Sequence, residues 1–167
     1  MFLDSLDYSN IMGVAVDMLM TVPLFAGTEE RELKRMADIF RREKVEKGDE
    51  LFHQRQPADR FYVVLRGTVA VKFKPDDGEP LTIAVIEPDG VCGWSAVLGR
   101  DCYSSTAICN QDCQLLSANG IEFRDVIETF DDSGAAMLTR FSDLIGRRYD
   151  TTRQQILDLV MDGVSHD

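Results

Sequence analysis

Cysteine and histidine are the side chains whose number and spacing decide whether this sequence has a zinc site or a nucleophile with its base. Four cysteines and two histidines are present, namely Cys92, Cys102, Cys109, Cys113, His53 and His166. No two cysteines have the Cys-x-x-Cys spacing that is typical of a zinc site, and a cupin-type metal centre needs several histidines in its barrel. We therefore expect no metal and no other cofactor, and interpret the cysteines as small buried side chains.

Nucleophilic catalysis is disfavoured for a similar reason. A serine or cysteine nucleophile needs a base within hydrogen-bond reach. His53 stands alone on a predicted strand, and no nucleophile accompanies it at a recognisable spacing. We expect a protein that is not an enzyme.

The charge of the chain limits the classes of partner. With 18 Lys and Arg residues against 29 Asp and Glu residues, the formal net charge is −11. Nucleic-acid binding requires a cationic face, so we expect no direct contact with DNA or RNA. Basic positions such as Arg100, Arg147 and Arg148 could still hold a small anion.

The first residues favour a cytoplasmic protein without a membrane span. Residues 1–10 lack the basic segment of a secretory signal. The apolar run over residues 11–25 is interrupted by Asp17, Thr21 and Pro23 and is shorter than the ~20 residues that cross a bilayer. Its helical spacing instead predicts a helix over residues 10–20 that packs on the body of the protein.

The rest of the chain predicts an α+β architecture. A second helix is expected from Thr28, as its N-cap, to about residue 42. Short runs bounded by Gly, Pro and Asp then predict strands at residues 50–53, 61–65, 68–74, 81–86, 103–109 and 113–117. In the third of these, alternation predicts that Val69, Val71 and Phe73 share a buried face. The pattern favours an antiparallel β-roll or jelly roll flanked by N-terminal and C-terminal helices.

Helical periodicity returns near the C-terminus. We expect a short helix over residues 121–130 and a long one over residues 134–161. Leu138, Phe141, Ile145 and Tyr149 form an apolar stripe on the long helix, which predicts a homodimer through that helix. The predicted organisation is an extension (1–21), a β-roll domain (22–133) and a helix with a tail (134–167).

Three segments carry a family resemblance. They are the run from Val22 to Phe25, the run Lys47-Gly48-Asp49-Glu50-Leu51-Phe52, and residues 57–69 with their strand–turn–strand pattern. In their order and spacing they resemble the cyclic nucleotide-binding domain family, which includes the sensor half of the catabolite activator protein. The resemblance implies a double-stranded β-helix that binds a small molecule and has a regulatory role.

The resemblance also assigns site residues, in a phosphate-binding cassette after a strand. It places Gly93 where the backbone approaches the ligand, and Ser95 and Ala96 where a short helix presents amide donors to a phosphate. Trp94 stands where the family has a ribose-binding glutamate, and Tyr103 stands where it has a phosphate-binding arginine. The hydroxyl residues Ser104 and Ser105 follow, and the last helix, which caps the pocket in the family, would bring Tyr149 to the ligand.

The two replaced anchors predict weak or absent cAMP binding. Each lost charge-assisted hydrogen bond costs ~1.5–3 kcal/mol, so together they weaken binding by about two to four decades. Three alternatives follow: Trp94 and Tyr103 line a pocket for a different, more apolar or aromatic metabolite; the pocket is sealed and the domain is a structural or protein-interaction module; or Arg100 substitutes for the lost arginine and a cyclic nucleotide binds. A protein partner is compatible with each.

Overall fold

Residues 14–147 are described in a computed structural model of the chain, and they form two four-stranded antiparallel sheets with helices before and after them. The helices are α1 (Val16–Met20), α2 (Glu30–Ile39), α3 (Gly120–Glu128) and α4, which begins at residue 132 and continues to residue 147. A 3₁₀ turn (Pro23–Phe25) lies between α1 and α2. None of the helices in this range combines the length and the hydropathy that a membrane span requires.

The strands form a roll whose two sheets enclose an interior. They are β1 (Arg41–Val45), β2 (Glu50–Phe52), β3 (Arg60–Arg66), β4 (Val69–Phe73), β5 (Leu81–Ile86), β6 (Val91–Cys92), β7 (Thr106–Cys109) and β8 (Cys113–Asn119). One sheet has the order β1-β8-β3-β6 and the other β2-β7-β4-β5. Every pairing between these strands is antiparallel. The predicted α+β roll with helices at its two ends is therefore confirmed.

The second helix differs from its prediction at both ends. Its N-cap is Glu29 and not Thr28. The backbone N–H of Glu29 donates a hydrogen bond to the Glu32 carboxylate at 3.3 Å. It ends at Ile39, because the following residues form β1 along β8. Strand β1 lies at the edge of its sheet and is rich in charged residues, which protect an exposed sheet edge from pairing with another chain. Its sequence therefore lacks the alternation of apolar and polar residues that would have predicted a strand. The prediction of a helix to residue 42 was wrong for this reason.

The predicted buried face of β4 is only partly correct. Val69 and Val71 are buried, but Phe73 is 39% exposed. The pairing of β4 with β5 shifts register between Val71 and Lys72, which breaks the alternation that the sequence indicated. Ala70, on the opposite side, is buried as well.

The sheet β1-β8-β3-β6 is covered on both faces. On β3, Phe61 and Val63 belong to a cluster that includes the helices, whereas Tyr62 and Val64 belong to a cluster inside the roll. We call these the helix-side core and the roll interior. A strand that is buried on both faces has a continuous run of apolar residues in its sequence, which is the pattern of residues 61–65.

Phe141 corrects the predicted apolar stripe of the last helix. It is 2% exposed, and its ring centroid lies 5.9 Å from those of both Phe61 and Phe123. It therefore belongs to the helix-side core and does not offer a dimer surface. Leu138 is 40% exposed, and Tyr149 lies outside the described residues.

Two glycines in helices give a matched prediction. A Cβ at Gly120, the first residue of α3, would lie 2.3 Å from the carbonyl carbon and oxygen of Ala96, whereas a Cβ at Gly146 in α4 would have no atom within 4 Å. Gly120→Ala should lower the free energy of unfolding by ~1–3 kcal/mol through overpacking. Gly146→Ala should raise it by ~0.5–1 kcal/mol through helix propensity. Urea unfolding of both variants measures the difference, and equal effects would contradict the close approach of α3 to Ala96.

Candidate ligand-binding site

Gly93 follows β6 and opens the segment that the sequence singled out. Its φ is 77°, in the left-handed region. A Cβ at this position would lie 2.8 Å from the carbonyl oxygen of Arg60 and 3.1 Å from Cε1 of Phe52. Glycine is thus required because the segment packs directly on β3 and on the ring of Phe52, in addition to any approach of a ligand.

Residues 94–99 form hydrogen-bonded turns and not the expected short helix. The backbone N–H of Ala96 donates to the Gly93 carbonyl at 3.1 Å, and that of Val97 donates to the Trp94 carbonyl at 3.1 Å. The Ala96 amide, which the resemblance assigned to a ligand phosphate, therefore has a partner within the chain. Ser95 is buried, and its carbonyl accepts a hydrogen bond from the Arg100 N–H at 3.0 Å.

Trp94 and Tyr103 pack in different cores. The half-buried indole of Trp94 packs against the helix-side core, whereas Tyr103 is a member of the cluster in the roll interior. The two rings that the sequence analysis grouped around one ligand thus pack against different clusters.

Tyr103 is the central side chain of a group in the roll interior that also includes Phe52, Gly93 and the backbone of Arg60, and we call this group the interior site. It is 3% exposed, and its ring stacks on Phe52 with centroids 4.0 Å apart and an interplanar angle of 16°. Its hydroxyl donates to the carbonyl of Arg60 at 2.6 Å and accepts from the backbone N–H of Arg60 at 3.0 Å. Burial raises the pKa of this phenol above its ordinary value. The hydroxyl is satisfied by the chain itself, so the residue that the resemblance assigned to the phosphate takes part in core packing.

The backbone of Tyr103 is also held. Its N–H donates to the carbonyl of Gln56 at 2.9 Å, and its carbonyl accepts from the N–H of Arg55 at 2.9 Å. These bonds join the end of the cassette segment to the loop between β2 and β3. Tyr103 consequently starts no strand, and β7 begins at Thr106 and not at residue 103 as predicted.

The other predicted site residues differ in their exposure. Arg100 and Ser104 are exposed, and Ser105 is buried beside them in sequence. Gly93 and Tyr103 lie near the same ring, since Tyr103 stacks on Phe52 and a Cβ at Gly93 would lie 3.1 Å from Cε1 of Phe52. Tyr149 lies outside the described residues.

Sequence reasoning missed a polar group in the roll, formed by Arg60, Ser117 and Glu43. Nη1 of Arg60 donates to Oγ of Ser117 at 3.1 Å, and that hydroxyl donates to the carboxylate of Glu43. Ser117 is fully buried. Nearby, burial foremost and then the Glu43 charge raise the pKa of the Tyr62 phenol. The alternation of Arg60, Tyr62 and Val64 on β3 was the signal that could have placed this arginine on the interior face.

Three of the four cysteines are buried side chains, as the sequence analysis predicted. Cys92, Cys109 and Cys113 are buried free thiols, and Cys102 is an exposed one. Burial, followed by a hydrogen bond with Cys113, raises the pKa of the Cys109 thiol to about 12. A thiol with so high a pKa is a poor nucleophile at neutral pH, because the thiolate is the reactive form.

Solved structures share this fold. A putative cyclic nucleotide-binding protein from Geobacter metallireducens aligns with a TM-score of 0.70 at 20% identity, covering 81% of this chain and 98% of that one. The regulatory subunit of a cAMP-independent protein kinase A from Trypanosoma cruzi, bound to guanosine, aligns with a TM-score of 0.66 at 19% identity, covering 89% of this chain and 50% of that one. At these identities the two likenesses support the fold alone.

Sequence comparison identifies the family. Potassium channel KOR1 from Oryza sativa subsp. japonica is 25% identical over 123 residues, which are 74% of this chain and only 14% of the channel. The sequence model of the cyclic nucleotide-binding domain matches residues 42–130. Since that match covers more than half of the 167 residues and the roll has the fold of solved members, the chain belongs to the cyclic nucleotide-binding domain family.

Proposed function

We propose that this chain is a non-enzymatic regulatory domain of the family that works independently of cAMP. The observation that carries the proposal is the Tyr103 ring, which stacks on Phe52 and uses its hydroxyl on both backbone groups of Arg60. The interior site is then part of the core, and the domain acts through contacts of its surface with a protein partner.

Energetics support this proposal. For a cyclic phosphate to take the family position, Tyr103 would have to leave the roll interior. Exposing an aromatic side chain costs ~1.5–3 kcal/mol. The N–H and carbonyl of Arg60 would lose their partner, at ~1–3 kcal/mol for each group left unsatisfied. A phosphate without the arginine does not recover these amounts, so binding in the family mode is weakened by several decades.

A second candidate function is the binding of an uncharged nucleoside-like molecule. It is favoured by the indole of Trp94, which is only half-buried beside the cassette turns and offers a stacking face. The Trypanosoma cruzi subunit described as cAMP-independent is bound to guanosine, a nucleoside without a phosphate. Such a ligand does not require the missing arginine.

Calorimetric titration with cAMP, cGMP and guanosine tests both candidates. We expect no binding of cAMP or cGMP at micromolar concentrations, because the phosphate position is filled. Guanosine binding that Trp94→Ala abolishes would favour the second candidate. As a constructive arm, Trp94→Glu with Tyr103→Arg restores the two family side chains and should increase cAMP affinity. Low-micromolar cAMP binding to the unmodified chain, unchanged by Lys72→Gln and Lys74→Gln on the outer face of the roll, would contradict the proposal.

The role of Tyr103 in the core makes its own prediction. Tyr103→Phe should lower the free energy of unfolding by ~1–3 kcal/mol, because two part-buried backbone groups of Arg60 lose their partner. Ser104→Ala removes an exposed hydroxyl one residue away and should have little effect. A fully tolerated Tyr103→Phe would argue that the hydroxyl serves a ligand.

Alkaline pH provides a second measurement. Because burial raises the pKa of Tyr103 above its ordinary value of 10.0, the folded state keeps a proton that the unfolded state has released. Stability from this group is complete below pH 10.0 and is lost as the pH rises toward the folded pKa. Denaturant unfolding across this range should show a decline that is shallower in Tyr103→Phe, and Tyr62 and Cys109 should account for what remains.

We also propose that the chain is a homodimer through its last helix. The support is Leu138, an apolar residue of α4 that is 40% exposed. Sedimentation should give a dimer that Leu138→Glu dissociates. Ile121→Glu, at a 62% exposed apolar residue of α3, is the matched control and should leave the dimer intact. A monomer in the unmodified chain would refute this part of the proposal.

A further inference from the structure

A cavity of about 370 Å³ lies on the outer face of the sheet β2-β7-β4-β5. Lys72 of β4 and Ile108 of β7 line it, and they alternate with Val71 and Ala107, which face the roll interior. The sheet therefore separates this outer cavity from the interior site. Its volume is within the range of small-molecule sites.

Two walls of the outer cavity are tied together by one glutamine. The backbone N–H of Gln54, in the loop after β2, donates to Oγ1 of Thr106 at 3.0 Å. The Gln54 side chain accepts from the N–H of Lys74 at 2.9 Å and donates to the Lys74 carbonyl at 3.1 Å. The loop is thus fixed against β7 and the end of β4, so the cavity is formed before any ligand arrives.

Arg55 occupies the rim in a backbone conformation that favours glycine. Its φ is 73°, a region that residues with a side chain rarely adopt. Its guanidinium forms an ion pair with Asp76 of the β4–β5 turn at 2.5 Å. Glycine would suit this backbone better, so the arginine is accounted for by its side chain, which lines the cavity.

The charges around the cavity do not balance. Its two carboxylates are already engaged, Asp76 with Arg55 and Glu50 with His53, whose Nδ1 lies 3.3 Å away. Lys72 and Lys74 form no ion pair with a carboxylate within residues 14–147. With His53 neutral, the three cationic side chains of the lining, Arg55, Lys72 and Lys74, exceed its two carboxylates by one charge, in a chain whose net charge is −11.

A phosphate monoester matches this arrangement. Its charge of about −1.5 to −2 at neutral pH is attracted by this net positive lining, in which the two lysines supply ammonium donors and the arginine adds planar donors that suit phosphate oxygens. Ile108, Pro75 and Pro80 supply an apolar wall for the carbon skeleton. We propose that the outer cavity binds a small phosphorylated metabolite, with the phosphate held by Lys72, Lys74 and Arg55. This site is independent of the interior site and of the function proposed for it.

Calorimetric titration with AMP, glucose 6-phosphate and adenosine tests the proposal. At least one of the two phosphate monoesters should bind, and adenosine, which lacks the phosphate, should bind at least tenfold more weakly than AMP. The double variant Lys72→Gln with Lys74→Gln should weaken phosphate-monoester binding at least tenfold. Lys44→Gln with Lys47→Gln removes the same charge from two exposed positions elsewhere and should leave the affinity unchanged. Binding of neither phosphate monoester, or equal affinity in the two double variants, would overturn the proposal.

Arg55→Gly separates binding from folding. Glycine relieves the left-handed conformation, so the melting temperature should be maintained or increased while the affinity for the phosphate monoester decreases several-fold. An unchanged affinity would remove Arg55 from the site. These results do not depend on the interior site, whose test uses variants of Trp94 and Tyr103 with cyclic nucleotides and guanosine.

Discussion

Burial of one sheet on both faces is the constraint on which this structure depends. Strand β3 places Phe61 and Val63 in the helix-side core and Tyr62 and Val64 in the roll interior. The helices are needed because the outer face of this sheet is apolar and must be covered. Phe141 of α4 closes that core against Phe61, so the C-terminal helix is joined to the same sheet that bounds the interior site.

The interior site is shaped by the same packing. The ring of Phe52 stacks on the phenol of Tyr103 and lies so close to Gly93 that a Cβ there would be 3.1 Å from its Cε1. The residue that the resemblance assigned to a charged ligand makes an aromatic contact here, and its phenol hydroxyl satisfies backbone groups of β3. Ligand recognition in a roll of this kind thus depends on whether interior side chains leave room for the ligand.

Electrostatics distinguish the roll interior from the outer face of the sheet β2-β7-β4-β5. The interior arginine, Arg60, has its guanidinium bonded to Ser117, which is in turn bonded to Glu43. On the outer face, Lys72 and Lys74 have no carboxylate partner within the described part of the chain. An acidic protein attracts anions only where cations are clustered and uncompensated, and the outer cavity meets that condition.

The sequence by itself determined the fold class, the family and most strands, because turns such as Lys47-Gly48-Asp49 and the bounds of β5 depend on local backbone chemistry. It could not determine β1, whose charged residues become a strand only by pairing with β8, seventy or so positions away. Nor could it separate Trp94 from Tyr103 or place Phe141 in the core. These outcomes depend on which side chains, far apart in sequence, pack into the same core. The order of residue types along the chain does not specify that packing.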